Sequence, residues 1–164
     1  MKHTAKARFA ITRIPDRTLL LVAAACSAAV TLLHLGIAVG GPPWYRWFGA
    51  PGLAARIESG SALVPVLLTV AVAALFAVWA CYALSGAGVI RRLPLLRIGL
   101  FAIAGIYLLR GIPVVPEVLA LARGAFPLRY AVFSAFSLFA GVVYLWGGLR
   151  IRRAPAASGA QVPV

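Results

Sequence analysis

Four stretches of the chain, residues 18–39, 63–84, 93–115 and 131–149, are almost continuously apolar. Each has about the 20 residues that a helix needs to cross a hydrocarbon core of roughly 30 Å. A helix of a water-soluble domain interrupts its apolar residues every few positions to keep one face polar, and these blocks do not. Of the 164 residues, 63% are hydrophobic and 12% charged, too few polar groups to clothe a soluble core. The predicted fold class is therefore an all-α integral membrane protein, an antiparallel four-transmembrane-helix bundle.

The formal charge of +13 would ordinarily raise nucleic-acid binding, since clustered Lys and Arg neutralise phosphates. Here the cations flank the apolar blocks, as they do on the cytoplasmic side of membrane helices, so no nucleic-acid partner is expected. Lys2, Lys6, Arg8, Arg13 and Arg17 precede the first block like the basic region of a signal peptide. The apolar run is too long for one and three more blocks follow, so it reads as an uncleaved first span. With both termini inside, the cytoplasmic segments hold 11 basic residues, the last six being Arg91, Arg92, Arg97, Arg150, Arg152 and Arg153. The outer segments hold 5: Arg46, Arg56, Arg110, Arg123 and Arg129. That asymmetry favours cytoplasmic termini in a cell inner membrane. The heavy use of Ala, Gly, Val and Arg over Lys suggests a bacterial source of high GC content. The organisation expected is a basic cytoplasmic arm at 1–17, a membrane domain at 18–149 and a disordered tail at 150–164.

The third block is the weakest, because only 12 residues, 98–109, separate Arg97 from Arg110. A re-entrant loop there would leave the count at 11 against 5, so charge does not arbitrate. A true span is preferred, since Arg97 can snorkel to the inner interface and 93–115 is long enough. Pro65 and Pro94 suit the first turn of a helix, where a missing amide hydrogen costs least. Ser85, Gly86, Ala87 and Gly88 mark a short inner turn.

Two short interfacial helices are predicted on the outer side. One follows the segment 40–51, whose Trp44, Tyr45, Trp47 and Phe48 are expected to anchor at headgroup level; Leu53 and Ile57, four apart, give the helix an apolar face. The other runs over 116–123, opened by Pro116 and Glu117 and closed by Arg123 and Gly124.

Polar residues inside the blocks fall on single faces. Ser27, Thr31 and His34 share one on the first; Thr69, Ala73, Ala77, Cys81 and Ser85 make a stripe at spacing four on the second. Tyr107 and Arg110 share a face of the third, and Ser134, Ser137, Gly141 and Tyr144 one of the fourth. Small and hydroxylated residues favour close helix approach, so these faces should turn inward. At about 1.5 Å per residue, His34, Thr69, Arg110 and Ser134 lie roughly 7 to 9 Å outward of their span midpoints, with Tyr107 and Ser137 slightly deeper. A guanidinium in the membrane needs a partner or a wet cavity. Glu58 and Glu117 are the carboxylates on that side, and Pro113 and Pro116 allow Glu117 to fold back over the layer. The predicted ligand site therefore comprises His34, Thr69, Tyr107, Arg110, Ser134, Ser137, Glu58 and Glu117.

Much chemistry is disfavoured by what the sequence lacks. Cys26 and Cys81 have no His or Cys at ligand spacing, so no metal or cofactor is expected and both read as small packing residues. One chain offers a single intramembrane histidine, short of the two axial ligands a bis-histidine haem needs. There is no Ser-His-Asp set, and three carboxylates leave little for paired acid catalysis. The expected function is a non-enzymatic accessory or binding component: an outer-half polar pocket for a lipid-like or anionic small group, in contact with the bilayer and with a membrane-protein partner or a second copy of itself. The two rivals are a small transporter or ion-conducting oligomer, and a membrane enzyme acting on a lipid or quinone with His34 beside a carboxylate.

Overall fold

The computed structural model describes residues 16–151. The basic arm and the C-terminal tail expected from the sequence lie outside the described residues, except where they join the first and last helices. Those residues form seven helices and no strand: α1 Asp16–Gly40, α2 Pro42–Trp47, α3 Pro51–Glu58, α4 Leu63–Gly86, α5 Leu96–Gly111, α6 Val114–Ala122 and α7 Leu128–Arg150. Four helical runs, α1, α4, α7 and α5 together with α6, are long and apolar enough to cross a membrane. They are what a multi-pass membrane protein requires. Large apolar side chains point outward along all of them, Leu32, Val39, Leu63 and Leu109 among the most exposed. A helix apolar on every side is stable only in apolar surroundings.

Each boundary has a local cause. Gly40 ends α1 and Gly41 takes a left-handed φ of 67°, which turns the chain so that Pro42 and Pro43 can open α2. The third apolar block begins later than 93, because Pro94 sits in a turn and the non-glycine Leu95 has φ 51° just ahead of α5. Proline thus precedes this helix instead of occupying its first turn, whereas Pro65 does lie in the first turn of α4. The block's end at 115 falls inside α6. Pro113 has helical backbone angles and α5 and α6 form one run, Leu96–Ala122, so the outer helix predicted at 116–123 is the continuation of α5. The fourth helix starts at Leu128, directly after the extended Pro127.

Among the long helices α1 packs most extensively on α4 and α5 on α7, and α1 against α7 joins the pairs. Close approach is bought with glycine and alanine. A Cβ built on Gly111 would lie 2.7 Å from the Leu138 backbone, and one on Gly141 2.8 Å from the Leu108 amide nitrogen. Leu20, near the start of α1, fills the space over Gly86 and Gly147, near the ends of α4 and α7.

The stripe predicted on α4 at spacing four is not the buried one. Thr69, Ala73, Ala80 and Ala83 are buried, but Ala77 is half-buried and Cys81 exposed. A spacing of four overshoots a 3.6-residue turn by about 40° per step, so three steps carry Cys81 about 120° off the face. On α7 the alternating spacing of Ser134, Ser137, Gly141 and Tyr144 follows the helix, and all four are buried. Ser85 owes its burial to the α4–α5 connection: its hydroxyl donates to the Arg91 carbonyl at 3.0 Å and accepts the Leu93 amide at 2.9 Å.

Two glycines of α5 test this packing. Gly111→Ala should destabilise the detergent-solubilised protein by about 1–3 kcal/mol, the cost of overpacking a filled contact. At Gly105 a Cβ meets nothing within 4 Å, so Gly105→Ala should leave the melting temperature unchanged or raise it. Equal melting temperatures for the two variants would remove the close α5–α7 contact from this account.

Candidate functional site

A chain of hydrogen bonds crosses the middle of the bundle. The Tyr144 hydroxyl donates to the Trp79 carbonyl at 2.9 Å, and Ser27 Oγ lies 2.7 Å from Tyr144 Oη and 3.1 Å from Tyr107 Oη. A carbonyl can only accept and each hydroxyl has one proton. Tyr144 spends its proton on Trp79, so Ser27 must donate to Tyr144, and Tyr107 must donate to Ser27. The chain therefore runs in one direction, from α5 through α1 and α7 to the backbone of α4. Ser27 and Tyr144 are fully buried and Tyr107 nearly so.

Above this chain a cavity of about 580 Å³ opens between all four long helices. Its wall is mostly apolar and aromatic: Phe76 and Trp79 from α4, Ile106 from α5, and Phe133 and Phe136 from α7, with Phe48 closing over it. Phe48 is held there by stacking on Phe133, ring centroids 5.7 Å apart and planes 25° apart. The polar members of the wall are His34, Tyr107, Arg110 and Ser137. His34 Nδ1 bonds the Val30 carbonyl at 2.8 Å. That nitrogen must carry the proton, so the neutral ring presents Nε2 as an acceptor. Its ring leans on Phe76, centroids 5.4 Å apart. Ser137 donates to the Phe133 carbonyl of its own helix. Arg110 is exposed, at the rim, and no carboxylate pairs with it among the described residues.

Four of the eight predicted site residues thus share one cavity, and four do not. Thr69 is buried elsewhere, where its hydroxyl meets Tyr45 Oη at 2.8 Å and donates to the Pro65 carbonyl. Ser134 is fully buried within α7, does not line the cavity, and its hydroxyl bonds nothing. Glu58 forms an ion pair with Arg46, so it answers an arginine of α2 and not Arg110. Glu117 does not line the cavity either, and its Oε2 is buried without a hydrogen-bond partner. The predicted fold-back fails because α6 extends α5 outward instead of reversing over the layer. Neither described glutamate approaches His34, which the enzyme reading needs.

The predicted aromatic anchor divides too. Trp44 and Trp47 are exposed, but Tyr45 is 1% exposed and packs with Ile37 and Ala54. The Trp44 ring lies over Gly40, where a Cβ would come within 2.3 Å of it. Arg129 sits 4.8 Å from the Tyr130 ring centroid and 5.9 Å from that of Trp47, a cation on aromatic faces. Among the described residues no group of three His, Cys, Asp or Glu side chains comes together to hold a metal. Sequence reasoning missed the role of Trp79 and the aromatic wall. An inward phenylalanine and an outward one look alike in an apolar helix, so no signal was there to find.

Removing the centre of the hydroxyl chain has a calculable cost. Ser27→Ala leaves the Tyr107 proton without its acceptor, and should destabilise by about 1–3 kcal/mol. In a thermal double-mutant cycle Ser27→Ala and Tyr107→Phe should be clearly non-additive, because the second variant removes the group the first leaves unpaired. Additive losses would mean that the two hydroxyls do not act on each other. Compared with family models, with curated proteins and with solved structures, the chain matches none.

Proposed function

We propose that this chain is a non-enzymatic, four-span protein of a bacterial inner membrane that binds a lipid-like molecule in the cavity beneath Phe48. The apolar part of the ligand lies against the aromatic wall, and its polar or anionic head faces His34 and Arg110. The observation that carries this reading is the composition of the wall: a cavity of about 580 Å³, of the size small ligands occupy, nearly all apolar, lined also by a guanidinium that no carboxylate among the described residues neutralises. An unpaired cation beside an apolar cavity favours an amphiphile over water or a soluble ion.

The arrangement proposed with it is an antiparallel bundle with both termini in the cytoplasm. Its support is the contact of Leu20, early in α1, with Gly86 and Gly147, late in α4 and α7. The basic residues of the α4–α5 connection then fall on the same side as the arm. A membrane-protein partner or a second copy would meet the exposed apolar faces, in competition with lipid.

Trp79 reports the ligand directly. With Trp44, Trp47 and Trp146 replaced by Phe, a brominated amphiphile should quench Trp79 saturably in nanodiscs. Ala29→Phe, which fills the cavity from α1, should abolish that quenching. Quenching that rises linearly with amphiphile and ignores Ala29→Phe would sink the cavity reading. The topology is tested separately. Single cysteines at Glu117 and Gly159, in a Cys26→Ala and Cys81→Ala background, should label in intact cells at Glu117 but not at Gly159 with an impermeant reagent. The reverse pattern would make the third block re-entrant.

A further inference from the structure

The hydrogen bonds already made in the cavity wall restrict what its guest must bring, an inference that rests on the ligand-binding reading above. Three of the four polar side chains in the wall have spent their protons on the protein. His34 Nδ1–H goes to Val30, the Tyr107 hydroxyl to Ser27 and the Ser137 hydroxyl to Phe133. What these three leave for a guest is acceptor capacity, above all the in-plane lone pair of His34 Nε2. Among the lining residues, the donors without a protein acceptor among the described residues are the Arg110 guanidinium and the Trp79 indole N–H.

A carboxylate or phosphate diester head satisfies Arg110 but leaves Nε2 unmet in apolar surroundings, where an unmade hydrogen bond is costly. An ether or ester head has the same fault. A hydroxyl is donor and acceptor at once. The wall beside it is aromatic: His34 leans on Phe76, whose ring centroid is 4.7 Å from that of Trp79 in an edge-on arrangement, and Trp79 meets Tyr107 at 5.2 Å in the same way. Rings so arranged leave edges and faces for another ring. We infer that the cavity selects an amphiphile with a phenolic or hydroquinone head, whose hydroxyl donates to His34 Nε2 and accepts from Arg110 or Trp79.

The test is competition against the brominated amphiphile on Trp79 in nanodiscs, with 4-dodecylphenol, its methyl ether and dodecanoate compared at equal mole fraction. The phenol should displace the probe at a mole fraction at least about tenfold lower than the ether, because a site built to bond a hydroxyl rejects the analogue lacking its proton. His34→Phe should shrink that preference to within about twofold, and His34→Gln, which keeps an acceptor, should restore most of it. Equal displacement by phenol and ether, or a preference unmoved by His34→Phe, overturns the inference while leaving the cavity as a lipid site. Tighter binding of dodecanoate than of the phenol overturns it in favour of a simple anion site at Arg110. Displacement by none of the three removes both the inference and the reading on which it rests.

Discussion

Inside a bundle of apolar helices a hydroxyl has only other protein groups to bond to, and the central polar chain of this protein uses that fact to join four helices. Tyr107, Ser27 and Tyr144 donate three hydrogen bonds in one direction, ending on the Trp79 carbonyl. Every long helix contributes one member. α1 and α5 make no extended contact of their own, so the Ser27–Tyr107 bond is a principal tie between them. Because each proton is committed, sliding one helix relative to another leaves at least one hydroxyl unpaired. In a low-dielectric interior that penalty is larger than the gain from any single apolar contact. The chain therefore fixes the register of the four helices together with the close glycine contacts of α5 and α7.

The cavity follows from the same arrangement. Glycine brings α5 close to α7, and the rings of Tyr107, Tyr144 and Trp79 lie in the buried cluster shared by the four long helices. The cavity lies beside those rings, with Phe76 reaching His34 and Tyr107 and with Phe48 stacked on Phe133 in its lining. Tyr107 and Trp79 thus belong both to the lining of the site and to the hydrogen-bond chain that ties the helices. The hydrogen bonds that hold the helices also decide which protons remain for a guest: His34, Tyr107 and Ser137 are left as acceptors, and Arg110 and Trp79 are the donors.

The α2–α3 segment shows how an apparent surface feature becomes structural. Four aromatics beside an arginine look like a headgroup anchor in sequence, and Trp44 and Trp47 are exposed as an anchor would be. Tyr45, between them, turns inward to bond Thr69 on α4. Its neighbour Arg46 pairs with Glu58 across the short turn to α3. The first contact ties the segment to α4 and the second joins α2 to α3 within it, and Phe48, between them in sequence, lines the cavity.

Hydropathy and length were sufficient for the four long helices, since each is a run of about twenty residues or more that leaves no polar face. Helical periodicity was sufficient for α7, where spacings of three and four follow the turn, and misled on α4, where a constant spacing of four drifts away from the buried face. His34, Tyr107, Arg110 and Ser137 were legible as a group because a polar residue in an apolar block has few alternatives to the interior. The pairings of the glutamates were not legible. Glu58 met Arg46 because two short helices pack on each other, and Glu117 stayed away from the cavity because Pro113 keeps helical angles and α6 continues the run of α5. Nor could the sequence say which phenylalanines line a cavity, or in which direction a row of hydroxyls donates. Composition and period act along one chain segment at a time, whereas a cavity wall and a proton order exist only once four segments have met.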